Sequence, residues 1–158
     1  MRDHSPTYLD ELIGMLAECN MFDAFSSTEL RSAAPFFHLE DIEAGNTLFR
    51  EGDSGTYMGI IHSGKISVMK ADGNNRKVQV ALLGANKTFG EMAVLDGERR
   101  SATCVAKSNC TLLTLSREAL DRMSEESPKI AAKVIRAVAV SLSRRLRIMD
   151  FQLVNSLG

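Results

Sequence analysis

The chain has 158 residues, 44% of them apolar and 25% charged, with a net charge of −1. That is the make-up of one ordinary globular domain, large enough to bury a core without disulfides or a structural metal. The near-zero charge excludes a strongly basic chain that binds nucleic acid by bulk attraction.

Helical spacing opens the chain. Leu9, Leu12, Ile13 and Leu16 recur on one face, with Thr7 as N-cap, and predict a helix over 7–19. Ser26 followed by Glu29 has the capping-box pattern and starts a shorter helix, which Pro35 ends. From 36 to 115 the pattern changes: Gly45, Gly52, Gly55, Gly59, Gly64, Gly73, Gly84, Gly90 and Gly97 punctuate short runs of strand character. Strands are predicted at 57–62, 65–69, 77–83, 102–106 and 111–115, with tight turns at Ser63-Gly64 and Asp72-Gly73-Asn74-Asn75. Short strands so spaced predict a sandwich or barrel. Helical character returns at 116–125, capped by Ser116, and again after Ser127-Pro128, an N-cap followed by proline at the first helical position. This last helix is expected to reach about residue 154, roughly 40 Å by helix rise. Its stripe, Ala131, Ile135, Val138, Leu142, Leu146, Met149 and Leu153, is expected to pack on the barrel in its first half. The second half has less domain to cover it and suits a second copy of itself. The whole of 1–158 reads as a single domain, with helices at 7–34 and 116–154 flanking a barrel at 36–115.

Cys19, Cys104 and Cys110 make no disulfide framework and fit a reduced, cytoplasmic setting. The start, Met1-Arg2-Asp3-His4, is polar and unlike a signal peptide. The apolar stretch 130–142 is broken by Lys133 and Arg136 and is too short to span a bilayer, so no membrane partner is expected. His4, His38 and His62 are scattered, and neither a metal-ligand spacing nor a nucleophile–base pair stands out. No enzyme activity, metal or cofactor is expected.

Chemistry concentrates at 88–103. Gly90 opens and Gly97 closes about one turn of helix, Glu91 to Leu95, and Arg99-Arg100-Ser101 follows. A helix start leaves backbone N–H groups free, Gly90 lets a ligand approach them, and an arginine offers a planar fork to phosphate oxygens. Glu91 can accept from a sugar hydroxyl. The set suits a ribose phosphate; a surface turn with a Glu–Arg ion pair is the alternative reading of the same residues.

The run Phe89-Gly90-Glu91-Met92-Ala93-Val94-Leu95, followed by Arg99-Arg100-Ser101-Ala102-Thr103, resembles the phosphate-binding cassette of cyclic-nucleotide-binding domains. Gly45-Asn46-Thr47-Leu48-Phe49-Arg50-Glu51-Gly52-Asp53 and Ile60-Ile61-His62-Ser63-Gly64-Lys65-Ile66-Ser67-Val68 resemble two earlier barrel motifs of that family. The resemblance covers about 20–154. It implies a mainly β fold, a double-stranded β-helix or jelly-roll barrel with N-terminal helices, a short cassette helix and a long C-terminal helix. It implies Glu91 on the ribose 2′-hydroxyl, Arg100 on the cyclic phosphate, Gly90, Met92 and Ala93 presenting backbone amides, and Ser101 on a phosphate oxygen. Arg99 reads as a solvated neighbour rather than a second phosphate contact, with Ala102 beside the site. Leu95 reads as core. Val80 and Leu82 are candidates for the ribose side, with core as their default. Ser101 after the arginine favours cAMP, with cGMP the other candidate. Met149 and Asp150 occupy the base-reading positions of the transcription-factor branch, where that branch has Thr-Ser. Met149 suits a soft apolar lid and Asp150 an acceptor for an exocyclic amine. Arg145 aligns with a helix arginine that pairs with the cassette glutamate; a solvated basic helix end, with Arg144 and Arg147, is its other reading. The implied role is a cyclic-nucleotide sensor, homodimeric through the C-terminal helix, that acts on an effector protein. The sequence stops four residues after Val154 with no helix-turn-helix, so no DNA binding is expected. A protein-interaction module with a vestigial pocket is the alternative.

Overall fold

A computed structural model describes residues 6–157; the polar start at 1–4, with His4, lies outside them. Two helices come first, α1 (Pro6–Glu18) and α2 (Ser27–Ala33), each followed by a single 3₁₀ turn, Asn20–Phe22 and Ala34–Phe36. The Ser26–Glu29 capping box forms in both directions. Then come β1 (His38–Ile42), β2 (Thr47–Phe49), β3 (Tyr57–Ser63), β4 (Ile66–Ala71), β5 (Lys77–Leu83) and β6 (Thr88–Phe89). The short α3 (Glu91–Asp96) precedes β7 (Thr103–Ala106) and β8 (Cys110–Ser116), and α4 (Arg117–Glu126) and α5 (Pro128–Leu157) close the chain. The order matches the jelly-roll expectation. The spacing of apolar runs did not isolate β1 and β2, and the last helix runs to Leu157 rather than 154.

Eight strands form two antiparallel sheets, β1-β8-β3-β6 and β2-β7-β4-β5. Strand alternation sorts β3 and β8 between two cores. Ile61 and Leu112 enter the barrel core with Phe49, Ile66, Phe89, Cys104, Ala106 and Cys110. Met58, Ile60, Leu113 and Leu115 enter a second core under the helices, with Leu12, Leu16, Phe22, Phe37, Val94, Leu120, Met123 and Val134. One sheet is therefore covered on both sides, and β3 reads as a nearly continuous apolar run. At Gly59 the ring of Phe89 occupies the space a Cβ would take.

Several expectations are corrected here. The buried stripe of α5 is Ala131, Val134 and Val138, while Ile135 is exposed. This face packs on α4, α2 and the first 3₁₀ turn, and shares one core with Met58, Ile60, Leu113 and Leu115 of β3 and β8. Val80 and Leu82 are exposed, because β5 is an edge strand with no layer over it. Leu95 is also exposed; its neighbour Val94 fills the core. No helix among the described residues is long and apolar enough to cross a membrane.

Candidate ligand pocket

The pocket begins where β6 leaves β3. After the pair Gly59↔Phe89, Gly90 turns left-handed at φ 73° and α3 starts. Six residues later Gly97, again left-handed at φ 73°, donates its N–H to the Ala93 carbonyl at 2.9 Å and ends the helix. Glu91 is turned inward and is 1% exposed, whereas Met92 is exposed.

Arg145 reaches Glu91 from α5. Its Nη1 donates to Glu91 Oε1 at 2.5 Å, and its Nη2 donates to the Thr88 carbonyl at 2.8 Å and the Thr88 hydroxyl at 3.0 Å. The other carboxylate oxygen, Oε2, is buried without a hydrogen-bond partner.

Arg100 is 4% exposed, and its main chain is stitched to the loop after β2. Gly52 N–H donates to the Arg100 carbonyl at 2.9 Å, and Arg100 N–H donates to the Asp53 carbonyl at 2.7 Å. Its guanidinium donates to the carbonyls of Tyr57, at 2.6 Å, and Gly90, at 3.1 Å. The guanidinium lies 3.7 Å over the Phe49 ring and 4.9 Å from that of Tyr57. Its Nε has no partner, and no carboxylate among the described residues comes within ion-pair distance of it. Burial lowers its proton affinity, but an arginine remains charged. Burial also pushes the Tyr57 hydroxyl and the Cys104 thiol up to about 12, so both are neutral beside it. A cation taken out of water without a counter-charge is costly, and an anion relieves the cost.

These groups line one cavity of about 250 Å³. Its walls include Gly90, Glu91, Met92, Ala93, Arg99, Arg100, Ser101, Ala102 and Arg145. Arg99 is exposed and donates to the Gly52 carbonyl at 3.1 Å. Val80, Leu82, Met149 and Asp150 do not line the cavity. Met149 and Asp150 lie on the solvent-exposed length of α5 beyond Arg145. Val68 and Leu83 line it where Val80 and Leu82 were expected, and Phe49, Phe89, Cys104, Asp96 and Glu98 complete the wall. A bulge between Val68 and Met69 shifts the β4–β5 register, which simple alternation along β5 does not reveal. No group of metal-ligating side chains occurs among the described residues.

Comparison with known proteins gives the same picture. A family model described as "Cyclic nucleotide-binding domain" matches residues 39–127. The "Cyclic AMP receptor protein" of Thermus thermophilus is 32% identical over 133 residues, which are 84% of this chain and 60% of that protein. A cyclic nucleotide-gated potassium channel of Rhizobium etli is 31% identical over 120 residues, 76% of this chain and 32% of the channel. A solved cyclic nucleotide-binding domain from Methylobacillus flagellatus superposes with a TM-score of 0.83 at 29% identity, covering 95% of this chain and 84% of that one. The chain thus spans about 60% of the length of the receptor protein and a third of the channel. On this match, and on a jelly roll whose cassette carries Glu91 and Arg100, the chain belongs to the cyclic nucleotide-binding domain family.

Proposed function

We propose that the chain is a non-catalytic sensor of a cyclic nucleotide, cAMP rather than cGMP, that passes ligand capture through α5 to an effector protein. The observation that carries this reading is Arg100, a cation 4% exposed, without a carboxylate partner, on the wall of a cavity. A cyclic phosphate supplies the missing charge, with Nε as the unused donor and the exposed Ser101 hydroxyl beside it. Glu91 Oε2 is the matching acceptor for a ribose hydroxyl. Preference for cAMP rests on Ser101 after the arginine and on likeness to a protein named for cyclic AMP.

Relay follows from Arg145. It holds Glu91 Oε1 and leaves Oε2 open, so a hydroxyl arriving at Oε2 bonds a carboxylate that α5 already grips. Ligand affinity and the position of α5 are then linked, and each biases the other. Beyond Arg145, Leu146, Met149, Phe151, Leu153 and Val154 are exposed, which supports a homodimer formed along this helix.

The deciding experiment is calorimetric titration of folded, ligand-free protein with cAMP, cGMP and AMP, beside Arg100→Ala. Saturable cAMP binding is expected, weakened by at least about 100-fold in the variant, since losing the charged bonds costs roughly 3 kcal/mol. Tighter binding of cGMP reverses the base preference. No heat from either cyclic nucleotide leaves the interaction module with a vestigial pocket.

A further inference from the structure

Arg117, the first residue of α4, lies outside the pocket wall and carries none of the ligand groups, yet it meets the cassette by two routes. Its guanidinium lies against the backbone of Gly97, the residue that closes α3. A Cβ at Gly97 would stand 3.0 Å from Nη2, 3.1 Å from Nη1 and 3.3 Å from Cζ. The two terminal nitrogens are the nearest atoms and Cζ lies just behind them, so the forked end of the guanidinium is turned toward that position. Gly97 is favoured for its φ of 73°, and a side chain there would also push the guanidinium aside. The cation also stands at the C-terminal end of α3, where the helix carbonyls favour positive charge.

The second route runs through the main chain. Arg117 N–H donates to the Thr56 carbonyl at 2.8 Å. The next carbonyl, Tyr57, accepts from Arg100 Nη2 at 2.6 Å. The buried arginine of the pocket and the first amide of α4 thus hang on adjacent peptide groups. From α4, Ala119, Leu120 and Met123 enter the core that also takes Ala131, Val134 and Val138 of α5.

We propose that Arg117 is a positioning residue that clamps the closing end of the cassette to α4, so that movement of the cassette is delivered to the α4–α5 pair as well as to Arg145. The consequence for signalling rests on the cyclic-nucleotide reading; the clamp itself does not. The side chain makes no hydrogen bond or ion pair among the described residues, so the clamp is the packing of its forked, planar end over Gly97. Lysine keeps the charge and loses the plane.

The test is residue-level amide hydrogen exchange on the full chain and its Arg117→Ala, Arg117→Lys and Gly97→Ala variants. In ligand-free Arg117→Ala, the Gly97 amide is expected to exchange at least about tenfold faster, with barrel amides such as Leu113 and the melting temperature unchanged. Arg117→Lys should behave like Arg117→Ala. Gly97→Ala, which displaces the guanidinium, should speed exchange at Ala119 and Leu120 across the contact. With saturating cAMP, Arg117→Ala should keep its affinity within about threefold of the parent and lose the ligand-induced change in α4 exchange. Parent-like exchange at Gly97 in Arg117→Ala, or full parent behaviour in Arg117→Lys, overturns the clamp. A parent protein that binds no cyclic nucleotide would sink the sensor reading alone, because the ligand-free exchange rates still decide the clamp.

Discussion

Arg145→Ala isolates the one polar tie between the pocket and the far half of α5. Among the described residues, the side-chain hydrogen bonds joining α5 beyond Val138 to the barrel all come from Arg145. Its partner Glu91 has a side chain only 2% exposed, while that of Arg145 is 36% exposed. Stranding a carboxylate in a fully buried pair costs about 3–5 kcal/mol, whereas a surface pair contributes about 0–1 kcal/mol. Here one partner faces solvent, and truncation opens a path for water to reach Glu91. The expected loss is therefore about 2 kcal/mol at neutral pH. For a domain of this length that lowers the melting temperature by about 4–8 °C. The assay is urea denaturation of ligand-free protein for the parent, Arg145→Ala, Glu91→Gln and the double variant. The double variant should lose less than the two single losses added, by at least about 1 kcal/mol, since a neutral amide needs no cation. Additive losses, or an Arg145→Ala variant within about 0.5 kcal/mol of the parent, would refute the view that this pair satisfies a buried charge.

Three further outcomes follow from other contacts. Tyr8→Phe removes the hydroxyl that accepts the buried Leu39 N–H at 2.8 Å and should destabilise by about 1–3 kcal/mol, read by denaturation, with nucleotide binding unchanged. Cys19 is pushed up to about 11, and Cys104 and Tyr57 to about 12, burial being the main cause in each. Their folded forms hold protons that the unfolded chain releases from about pH 9, so their contribution to stability should be flat from neutral pH to about 9 and fall as pH rises toward 12; Tm rising from pH 9 to 12 would contradict this. A paired Met149→Glu, Leu153→Glu variant should convert a dimer to a monomer in sedimentation without loss of helix; a parent that is already monomeric at tens of micromolar removes the dimer proposal.

The cassette was readable because its parts are contiguous. Gly90 and Gly97 mark the helix ends by their own backbone needs, and Glu91 and Arg100 lie within the same short run. The surroundings of Arg100 were not readable: Phe49 and the Tyr57 carbonyl come from more than forty residues upstream and meet it only through sheet pairing. Along β5, alternation offered Val80 and Leu82 as one face, but the pairing of Leu83 with Ile66 and Ala81 with Val68 turns the other face, with Leu83, to the wall. On α5, apolar residues cover a wide arc, and the stripe read from the sequence took Ile135 and passed over Val134. The crossing with α4 and α2, a tertiary fact, selected Val134.

The two halves of α5 are held by different physics. In the first half, Ala131, Val134 and Val138 are buried, and Lys133 Nζ donates to both Glu29 oxygens, at 2.8 and 2.9 Å, and to the Ala24 carbonyl at 2.9 Å. That cation holds Glu29 below its usual carboxylate range, and none of these partners belongs to the pocket. Arg145 lies twelve residues further on, about 18 Å along the axis. An apolar seam at that point would fix the helix whatever the pocket contained, because burial does not depend on the charge or bonding of one neighbour. Arg145 instead ties the far half of the helix to the pocket carboxylate Glu91 and to Thr88 just before the cassette. In the proposed sensor, a ligand hydroxyl on Glu91 acts through Arg145 on the far half of α5, while the first half answers only to what reaches it through α4.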